Sequence, residues 1–374
     1  MSGQLSVTVL TGTPDNDGSY ALEQLIQHSG DLRLAAIIPK RMNKRSRPSG
    51  NVPLIPTTER LVKLGQGCSC CTVRGDLMAK VRRIADEQSA EHILIHTAPH
   101  ADLRTLAKTF TVADDSGRVL SDVARIDSLV TVVDAKGFLD SLGRAGARSL
   151  MERLELANVV LLQGGSGIAP QDLEQVLGCI RAINASARVV QAEEEGFVLS
   201  ALRAAQPFEL DLAEDRAAEL AGGEEGSEEA GSVVRFDYQA RRPFHPARLH
   251  ALLAEPWPGV LRAKGTFWVA SRPEYACALD VAGGSRNMSP EGMWWATVPV
   301  EQRPNSTQFK AYLEEIWHPA FGDRLQNLNI VGIAVDEQEL LGRIEACLLT
   351  EEELSAPDEW SSLPDPFQWP AVNG

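Results

Sequence analysis

The alternation of strand-like and helix-like patterns in the N-terminal half is the feature that most constrains the fold. Residues 5–10 and 34–38 are apolar runs of strand length, and between them the apolar residues of 20–27 recur at helical spacing. Further strand-like runs lie at residues 92–96, 128–133, 159–162 and 188–191, and helix-like runs at residues 77–87, 150–156 and 170–184. Apolar strands separated by helices predict an α/β domain with a parallel sheet covered by helices on both faces.

The second half of the chain has a different pattern and predicts a smaller α+β domain. Strand-like runs occur at residues 233–238, 265–270, 293–298 and 329–335, and helix-like runs at residues 246–253, 308–317 and 337–347. Between the halves, residues 209–231 hold nine acidic residues and one basic residue, a composition typical of a solvated linker or surface loop. The predicted boundaries are residues 1–207 for the first domain, 208–232 for the acidic linker, 233–350 for the second domain and 351–374 for a Pro-rich tail that can pack over the second domain.

Charge and hydropathy exclude some classes of function. Lys and Arg total 36 against 51 for Asp and Glu, and the net charge of −15 argues against a protein that coats nucleic acid or anionic lipid over its whole surface. No apolar run reaches the roughly 20 residues of a bilayer span. The first ten residues lack the basic start and apolar stretch of a signal peptide. We therefore expect a cytoplasmic protein that makes no membrane contact.

The turn after the first strand stands where a nucleotide-binding α/β domain carries its phosphate loop. The pattern G-x-x-x-x-G-K-[ST] provides backbone N–H groups and a lysine for phosphate and a hydroxyl for Mg²⁺. Gly12 and Ser19 fit this pattern, but Asp17 replaces the second glycine and Gly18 replaces the lysine. Asp15 and Asp17 would also face phosphate with charge of the same sign. The sequence predicts a vestigial phosphate loop, with Gly12 and Ser19 as its remnants and no bound nucleotide or Mg²⁺.

Three of the six cysteines, Cys68, Cys70 and Cys71, fall within four residues. Their C-x-C-C spacing can present two or three thiolates to one cation, and Zn²⁺ is the commonest metal in thiolate-rich tetrahedral sites. Buried, unreactive thiols are the alternative interpretation. His96 is a candidate further ligand, because His92, His96 and His100 recur every four residues and residues four apart in a strand share a face. An ordinary hydrogen-bonded histidine is the alternative interpretation of His96.

The segment around these cysteines resembles a known family signature. Residues 67–77, GCSCCTVRGDL, resemble the G-C-x-C-C-T-x-R-x-D-L motif of the CobW-like GTPases. Residues 130–135 and 155–162 are similar to two strands of that family, and residues 242–246 and 322–324 to its C-terminal domain, closest to the YciC-like branch. The resemblance implies a P-loop NTPase-like G domain of the SIMIBI class, followed by a CobW C-terminal domain. It also implies a bound zinc or other transition metal and GTP-dependent transfer of that metal to a client protein.

The nucleotide motifs of that family are changed together in this chain. Besides the altered phosphate loop, the family's E-[ST]-[ST]-G element is HTAP at residues 96–99, and its guanine-reading N-K-x-D is QGGS at residues 163–166. We interpret the chain as a zinc-binding pseudo-GTPase that acts in zinc homeostasis or delivers metal to a client metalloprotein. Two alternatives stay open: an adaptor that binds a protein or ribosomal partner under zinc limitation, and an active GTP-dependent zinc chaperone.

A basic segment stands out against the acidic background. Its five cations are Lys40, Arg41, Lys44, Arg45 and Arg47. A solvated loop is the ordinary interpretation, and contact with an RNA phosphate backbone is the alternative. Some branches of the family that the chain resembles are similar to components of zinc-limitation responses in which ribosomal proteins are exchanged. A ribosome or RNA partner is therefore a further hypothesis.

Overall fold

A computed structural model describes most of the chain. The described residues are 4–13, 16–40, 42, 47–48, 52–58, 61–63, 72–114, 116–144, 146–192, 199, 207–219 and 233–367. The chain divides into two compact units, one formed by Met1–Ser141 with Ser149–Ala218 and the other by Leu142–Arg148 with Glu219–Gly374.

The first unit is built on a seven-stranded sheet of order β3-β2-β6-β1-β7-β8-β9 in which every described pairing is parallel. Its strands are β1 Leu5–Thr11, β2 Leu34–Pro39, β3 Leu54–Thr57, β6 His92–His96, β7 Ala124–Asp134, β8 Val159–Gln163 and β9 Arg188–Gln191. The helices described in this part of the chain are α1 Ser19–Gln27, α2 Gly75–Asp86, α3 Leu103–Thr111, α4 Phe138–Leu142, α5 Ala147–Leu156, α6 Pro170–Ile183 and α7 Leu210–Glu219.

The central strands are apolar because both of their faces are covered. Every residue of β2 and of β6 is buried, including both histidines of β6. Leu10, Ala36 and Leu94 from three neighbouring strands share one core with Leu22 and Leu25 of α1. The prediction of a parallel α/β domain at the N-terminal end of the chain is confirmed.

Two short strands of the first unit, β4 Leu61–Lys63 and β5 Thr72–Arg74, form a separate antiparallel ladder. Leu61 lies opposite Arg74 and Lys63 lies opposite Thr72. We call this ladder the stem. The segment 64–71 connects its two strands and carries the C-x-C-C motif, and it lies outside the described residues.

The second unit contains a five-stranded antiparallel sheet of order β10-β14-β11-β12-β13. Its strands are β10 Val233–Ala240, β11 Val260–Phe267, β12 Tyr275–Ala282, β13 Ser285–Met293 and β14 Gln326–Ile333, and its described helices are α8 Pro246–Ala254, α9 Thr307–Ile316, α10 Glu337–Glu345 and α11 Glu351–Leu354. Phe244, Phe267 and Leu328 are almost completely buried in one core with Leu340 and Ile344 of α10. The prediction of a smaller α+β domain is confirmed.

The structure differs from the sequence-based expectation within this sheet. Strands β12 and β13 were not predicted, because partial burial along β12 and exposure along most of β13 weaken the apolar pattern. The run at residues 293–298 was predicted as a strand, but Met293 ends β13 and residues 294–298 form a pair of turns. In these turns Thr297 N–H donates to Trp294 O at 3.0 Å and Val298 N–H donates to Trp295 O at 3.2 Å. The run was predicted as a strand because aromatic residues give the same apolar pattern at a turn as they give in a strand.

The segment expected to be linker and the segment expected to be tail both contain packed structure. Leu210–Glu219 is helix α7, and Phe208, Leu210 and Ala213 are buried, because three apolar residues lie among the acidic ones. Residues 357–362 form a short 3₁₀ turn, and Phe367 is buried in the core of the second unit. The average composition of a segment conceals such isolated apolar anchors. Among the described residues, no helix has the length and apolar character that crossing a membrane requires.

Substitution of Gly265 tests the strand packing of the second unit. Gly265 has φ +151°, and a Cβ there would lie 1.8 Å from the backbone oxygen of Asn327. We expect Gly265→Ala to destabilise the unit by at least about 1–3 kcal/mol, since strain and a backbone clash add. Gly284→Ala is the control, because nothing lies within 4 Å of its added Cβ. All seven tryptophans stand at position 257 or later, so denaturant unfolding followed by tryptophan fluorescence reports this unit. Equal stability of the two variants would contradict the prediction.

Candidate functional site

The candidate site lies at the carboxyl edge of the seven-stranded sheet. Strand β1 stands between β6 and β7, and the chain leaves β1 through residues 12–18 into α1. In parallel α/β sheets, ligands bind outside the carboxyl ends of the strands where successive connections diverge. His96 ends β6, Asp134 ends β7 and Gln163 ends β8, so these side chains belong to the same edge.

Four described backbone N–H groups at the phosphate-loop position are hydrogen-bonded within the loop. Gly18 N–H donates to Asn16 Oδ1 at 3.1 Å, and Ser19 N–H donates to Asp17 Oδ1 at 2.9 Å. Thr13 N–H donates to Asn16 O at 2.6 Å, and Asn16 N–H returns a bond to Thr13 O at 3.1 Å. In a working phosphate loop, such groups bind phosphate oxygens at the start of the helix. Here the protein's own amide and carboxylate oxygens accept these bonds.

Two glycines permit this loop conformation. A Cβ on Gly12 would lie 2.2 Å from Asn16 O, so only glycine allows the loop to turn back on itself. Gly18, at the lysine position of the motif, has φ +78°, a left-handed conformation that strains other residues. Ser19 begins α1, and its Oγ is buried without a hydrogen-bond partner among the described residues. Pro14 and Asp15 lie outside the described residues.

His96 forms a hydrogen bond to the backbone of this loop. The residue is 3% exposed, and its Nε2 lies 2.7 Å from the carbonyl oxygen of Asp17. Because a carbonyl oxygen only accepts, Nε2 carries the proton in this contact. His92 is fully buried on the same strand, with its Nε2 2.9 Å from Thr8 Oγ1 on β1. The geometry gives both histidines packing partners inside the first unit, and a metal-binding role for His96 stays a prediction.

The loop is also hydrogen-bonded to the end of β8, the position to which the family resemblance assigns recognition of the guanine base. Asn16 Nδ2 donates to Gln163 Oε1 at 2.8 Å, so a single side chain bridges the phosphate-loop and base-reading positions. Gly164 follows with φ +71°, and a Cβ there would lie 3.1 Å from Asp134 Oδ1. Asp134 Oδ1 accepts a bond from Lys136 N–H at 3.0 Å. No signal in the sequence suggested that Asn16 and Gln163, 147 residues apart, would pair.

A buried arginine that the sequence analysis missed joins two other parts of the edge. Arg153 on α5 is 3% exposed and donates to Thr11 Oγ1 at the end of β1. It also donates to the carbonyl oxygens of Pro99 and Ala101, which follow β6. Burial of a guanidinium is costly unless it is hydrogen-bonded, and these oxygens supply the acceptors. The sequence signal for this role was a basic residue among the apolar residues of α5. Leu154 beside it is fully buried.

Asp76 lies where the stem meets the sheet. Its Oδ2 accepts bonds from Thr57 Oγ1 at 2.6 Å, Thr58 N–H at 2.7 Å and Thr58 Oγ1 at 2.8 Å, and Lys80 Nζ lies 3.3 Å away. Burial alone would raise the pKa of Asp76, but the hydrogen bonds from Thr57 and Thr58 and the charge of Lys80 together hold that pKa below its ordinary value. We call this group of four residues the Asp76 clamp.

The three cysteines that the structure describes are unsuited to metal binding. Burial raises the pKa of Cys179 and of Cys277 to about 12 and that of Cys347 to about 11. A metal binds the thiolate, so buried thiols with high pKa values are poor ligands. Within the described residues, no group of three or more His, Cys, Asp or Glu side chains is arranged to hold a metal. The candidate ligands Cys68, Cys70 and Cys71 lie outside those residues, and their role stays a prediction.

The basic segment is described only in part. Lys40 and Arg47 are exposed, while Arg41, Lys44 and Arg45 lie outside the described residues. The backbone N–H of Lys40 donates to Thr57 O at 2.8 Å, which fixes the start of the segment at the edge of the main sheet.

Comparison with known families identifies the class of protein. The description "CobW/HypB/UreG, nucleotide-binding domain" matches residues 6–191, and "Cobalamin synthesis protein cobW C-terminal domain" matches residues 233–348. Together with the P-loop NTPase-like sheet and the separate antiparallel domain, these matches cover most of the molecule. The chain belongs to the CobW family, and the resemblance deduced from its motifs is confirmed.

Individual relatives carry zinc-related names. The chain is 27% identical to "Zinc-regulated GTPase metalloprotein activator 1" of Dictyostelium discoideum over 98% of its own length and 84% of the relative's. It is 26% identical to a zinc chaperone of Mycobacterium tuberculosis over 83% and 80% of the two lengths. Among solved structures, the Zn(II)-bound YjiA GTPase of E. coli aligns over 93% of this chain and all of its own, with 14% identity and a TM-score of 0.39.

Removal of the Asn16 side chain tests the loop geometry. Asn16→Ala loses the acceptor for Gly18 N–H and the donor to Gln163, and we expect it to destabilise the first unit by about 1–2 kcal/mol. Circular dichroism during denaturant unfolding measures the loss, while tryptophan fluorescence should report an unchanged second unit. Asn305→Ala is the control, because Asn305 is exposed and distant in sequence from the loop. A stability equal to that of the control would contradict the described hydrogen bonds.

Proposed function

We propose that this protein is a zinc-binding member of the CobW family that acts in zinc homeostasis or delivers zinc to a client metalloprotein, and that it neither binds nor hydrolyses GTP. The observation that carries the second part is the phosphate loop, whose N–H groups at Gly18 and Ser19 donate to Asn16 and Asp17. The thiolate chemistry of Cys68, Cys70 and Cys71 carries the first part.

The residues at the phosphate-loop position do not fit a nucleotide triphosphate. A phosphate would have to displace Asp17 Oδ1 from Ser19 N–H, and it would then meet the charge of that carboxylate at close range. The lysine that would offset this repulsion is absent, and the left-handed φ of Gly18 disfavours a lysine there. Gln163 at the base-reading position is already bonded to Asn16. These features support loss of GTP and Mg²⁺ binding.

The donor set favours zinc as the cargo. Cys68, Cys70 and Cys71 can supply two or three thiolates to one cation, and zinc is the commonest metal in thiolate-rich tetrahedral sites. The zinc-related names of the Dictyostelium and Mycobacterium relatives support this choice. In the absence of GTP, we propose that contact with the client metalloprotein drives release, with His96 as a further ligand where the site needs one.

A second candidate function is an adaptor that binds a ribosomal or RNA partner under zinc limitation. The exposed side chains of Lys40 and Arg47 favour it, since neither forms an ion pair with a described residue. A basic segment of this kind binds phosphate backbones without reading sequence. Partner capture that persists after removal of all three motif cysteines would favour the adaptor over the zinc carrier.

Zinc binding should depend on the motif cysteines. We expect the purified protein to bind zinc in about a 1:1 ratio and the Cys68→Ser/Cys70→Ser variant to lose that affinity, because thiolates provide the ligands. Metal analysis after dialysis, combined with competition against a chromophoric chelator, measures both quantities. The control Cys179→Ala/Cys347→Ala removes the same number of thiols from buried positions and should keep the zinc. An unaltered affinity in the Cys68→Ser/Cys70→Ser variant would rule out the proposed site.

Nucleotide should not bind. We expect calorimetric titration with millimolar Mg²⁺·GTP to give no saturable heat, because Asn16 and Asp17 occupy the N–H groups that a phosphate needs. The titration is made with zinc-free and with zinc-loaded protein, and circular dichroism of each sample establishes that the protein is folded. Saturable GTP binding in either form would refute the pseudo-GTPase assignment and favour an active GTP-dependent chaperone.

A further inference from the structure

Residues 360–367 form a short segment on the second unit that we call the strap. They follow helix α11 and complete the 3₁₀ turn of residues 357–362, and residues 363–367 lie outside helix and strand. Pro364 and Pro366 have no N–H group, and Phe367 N–H donates to Asp365 Oδ1 at 3.0 Å inside the strap. A segment with so few available N–H groups depends mainly on its side chains for attachment.

A carboxylate is the first of these attachments. Asp365 Oδ2 accepts one hydrogen bond from Ser271 Oγ at 2.8 Å and another from Arg272 Nε at 3.0 Å. The side chain of Asp365 is 13% exposed, whereas that of Arg272 is 43% exposed. A hydroxyl and a guanidinium that converge on one carboxylate are the kind of donors that recognise an acidic residue of a peptide.

Two aromatic rings provide the other attachments. Phe367 is buried in the core of the second unit, and its ring centroid lies 5.3 Å from that of His250 on α8. Trp360 packs edge-on against Trp268, with the ring centroids 6.2 Å apart. Aromatic side chains supply much of the binding energy at protein interfaces. The strap therefore has the chemistry of a bound peptide, with a carboxylate two residues before a buried ring. We call the residues that hold it the strap seat: His250, Trp268, Ser271 and Arg272.

The strap leaves one donor of its seat unsatisfied. Trp268 is fully buried, and its Nε1 has no hydrogen-bond partner among the described residues. The indole of Trp360, which packs against it, offers no acceptor oxygen. A buried N–H group without an acceptor is costly, and an ion pair as exposed as that of Arg272 contributes little. A segment that kept the carboxylate and the ring and added an acceptor for Trp268 would therefore bind the seat better than the strap does.

We propose that the strap seat is a docking site for an extended segment of a partner protein, and that the strap is its displaceable occupant. The partner segment carries an aspartate and, two residues later, an aromatic ring, which is the spacing of Asp365 and Phe367. While the strap occupies the seat, it lowers the apparent affinity for the partner. The inference goes beyond the zinc function and does not depend on it, because the strap and its seat both belong to the second unit.

The test measures binding of a labelled peptide to the full chain. The peptide has the sequence of residues 361–367, Ser-Ser-Leu-Pro-Asp-Pro-Phe. The Asp365→Ala/Phe367→Ala variant removes two attachments of the strap, and we expect it to bind the peptide at least about tenfold more tightly than the parent, whose seat is occupied. Fluorescence anisotropy measures both affinities. Asp365→Ala alone is the second variant, since it leaves Phe367 in the core and should show the same change to a smaller extent.

A matched pair of arginine variants locates the bound peptide. In the Asp365→Ala/Phe367→Ala background, Arg272→Ala removes the cationic donor to the peptide carboxylate and should weaken binding by about tenfold. Arg343→Ala is the control, because Arg343 also forms an ion pair in the second unit, with Glu255 at 2.7 Å. It should leave the peptide affinity unchanged. Circular dichroism and denaturant unfolding followed by tryptophan fluorescence establish that each variant is folded.

The outcomes separate the docking site from a purely structural tail. Tighter peptide binding in the two strap variants, lost again with Arg272→Ala, would support the inference. Folded strap variants that bind the peptide no more tightly than the parent would overturn it, as would equal peptide affinities in the Arg272→Ala and Arg343→Ala variants. Dimers of the parent in light scattering that the peptide dissociates would also overturn it, since the strap of a second copy would then be the occupant.

Discussion

The hydrogen bond from Ser19 N–H to the Asp17 carboxylate places a negative charge of the protein itself at the start of α1. The N-terminus of a helix is the natural position for an anion, and in nucleotide-binding relatives of this fold a phosphate occupies it. In this chain the Asp17 carboxylate accepts the first N–H of the helix, that of Ser19. Asn16 also accepts a bond from Gly18 N–H and donates one to Gln163 at the end of β8. The hydrogen bonds of the loop therefore extend along the carboxyl edge of the sheet.

Two other side chains at the carboxyl edge of the sheet are also hydrogen-bonded to oxygen atoms of the protein. His96 replaces the acidic residue of the family and binds the carbonyl oxygen of Asp17. Arg153 joins the end of β1 to the chain after β6 through oxygens of the protein. The N–H groups of Gly18 and Ser19 are therefore used to fix the loop.

Much of the fold followed from local patterns. The apolar strands β1, β2 and β6 and the helices between them were predictable, because burial on both faces leaves an unbroken hydrophobic run. Strand β12 and helix α7 were missed, since partial burial in one and acidic neighbours in the other weaken the pattern. The packing of Phe367 in the second core is a long-range contact that no local window contains.

The candidate site was predictable to the extent that it depends on residue type. Asp17 and Gly18 at altered motif positions indicated a changed phosphate loop, and the C-x-C-C motif indicated a thiolate site. The bond between Asn16 and Gln163 and the clamp at Asp76 depend on the meeting of distant segments, which spacing does not encode. The structure adds the hydrogen bonds of Asn16 and Asp17 that hold the altered loop in place.

The central claim is that zinc handling in this protein is independent of nucleotide. The most direct measurement is the rate at which zinc-loaded protein releases its metal to an excess of chelator, with and without millimolar Mg²⁺·GTP. We expect identical rates, because the N–H groups of Gly18 and Ser19 are already hydrogen-bonded to Asn16 and Asp17. A release rate that rises or falls with GTP concentration would contradict it.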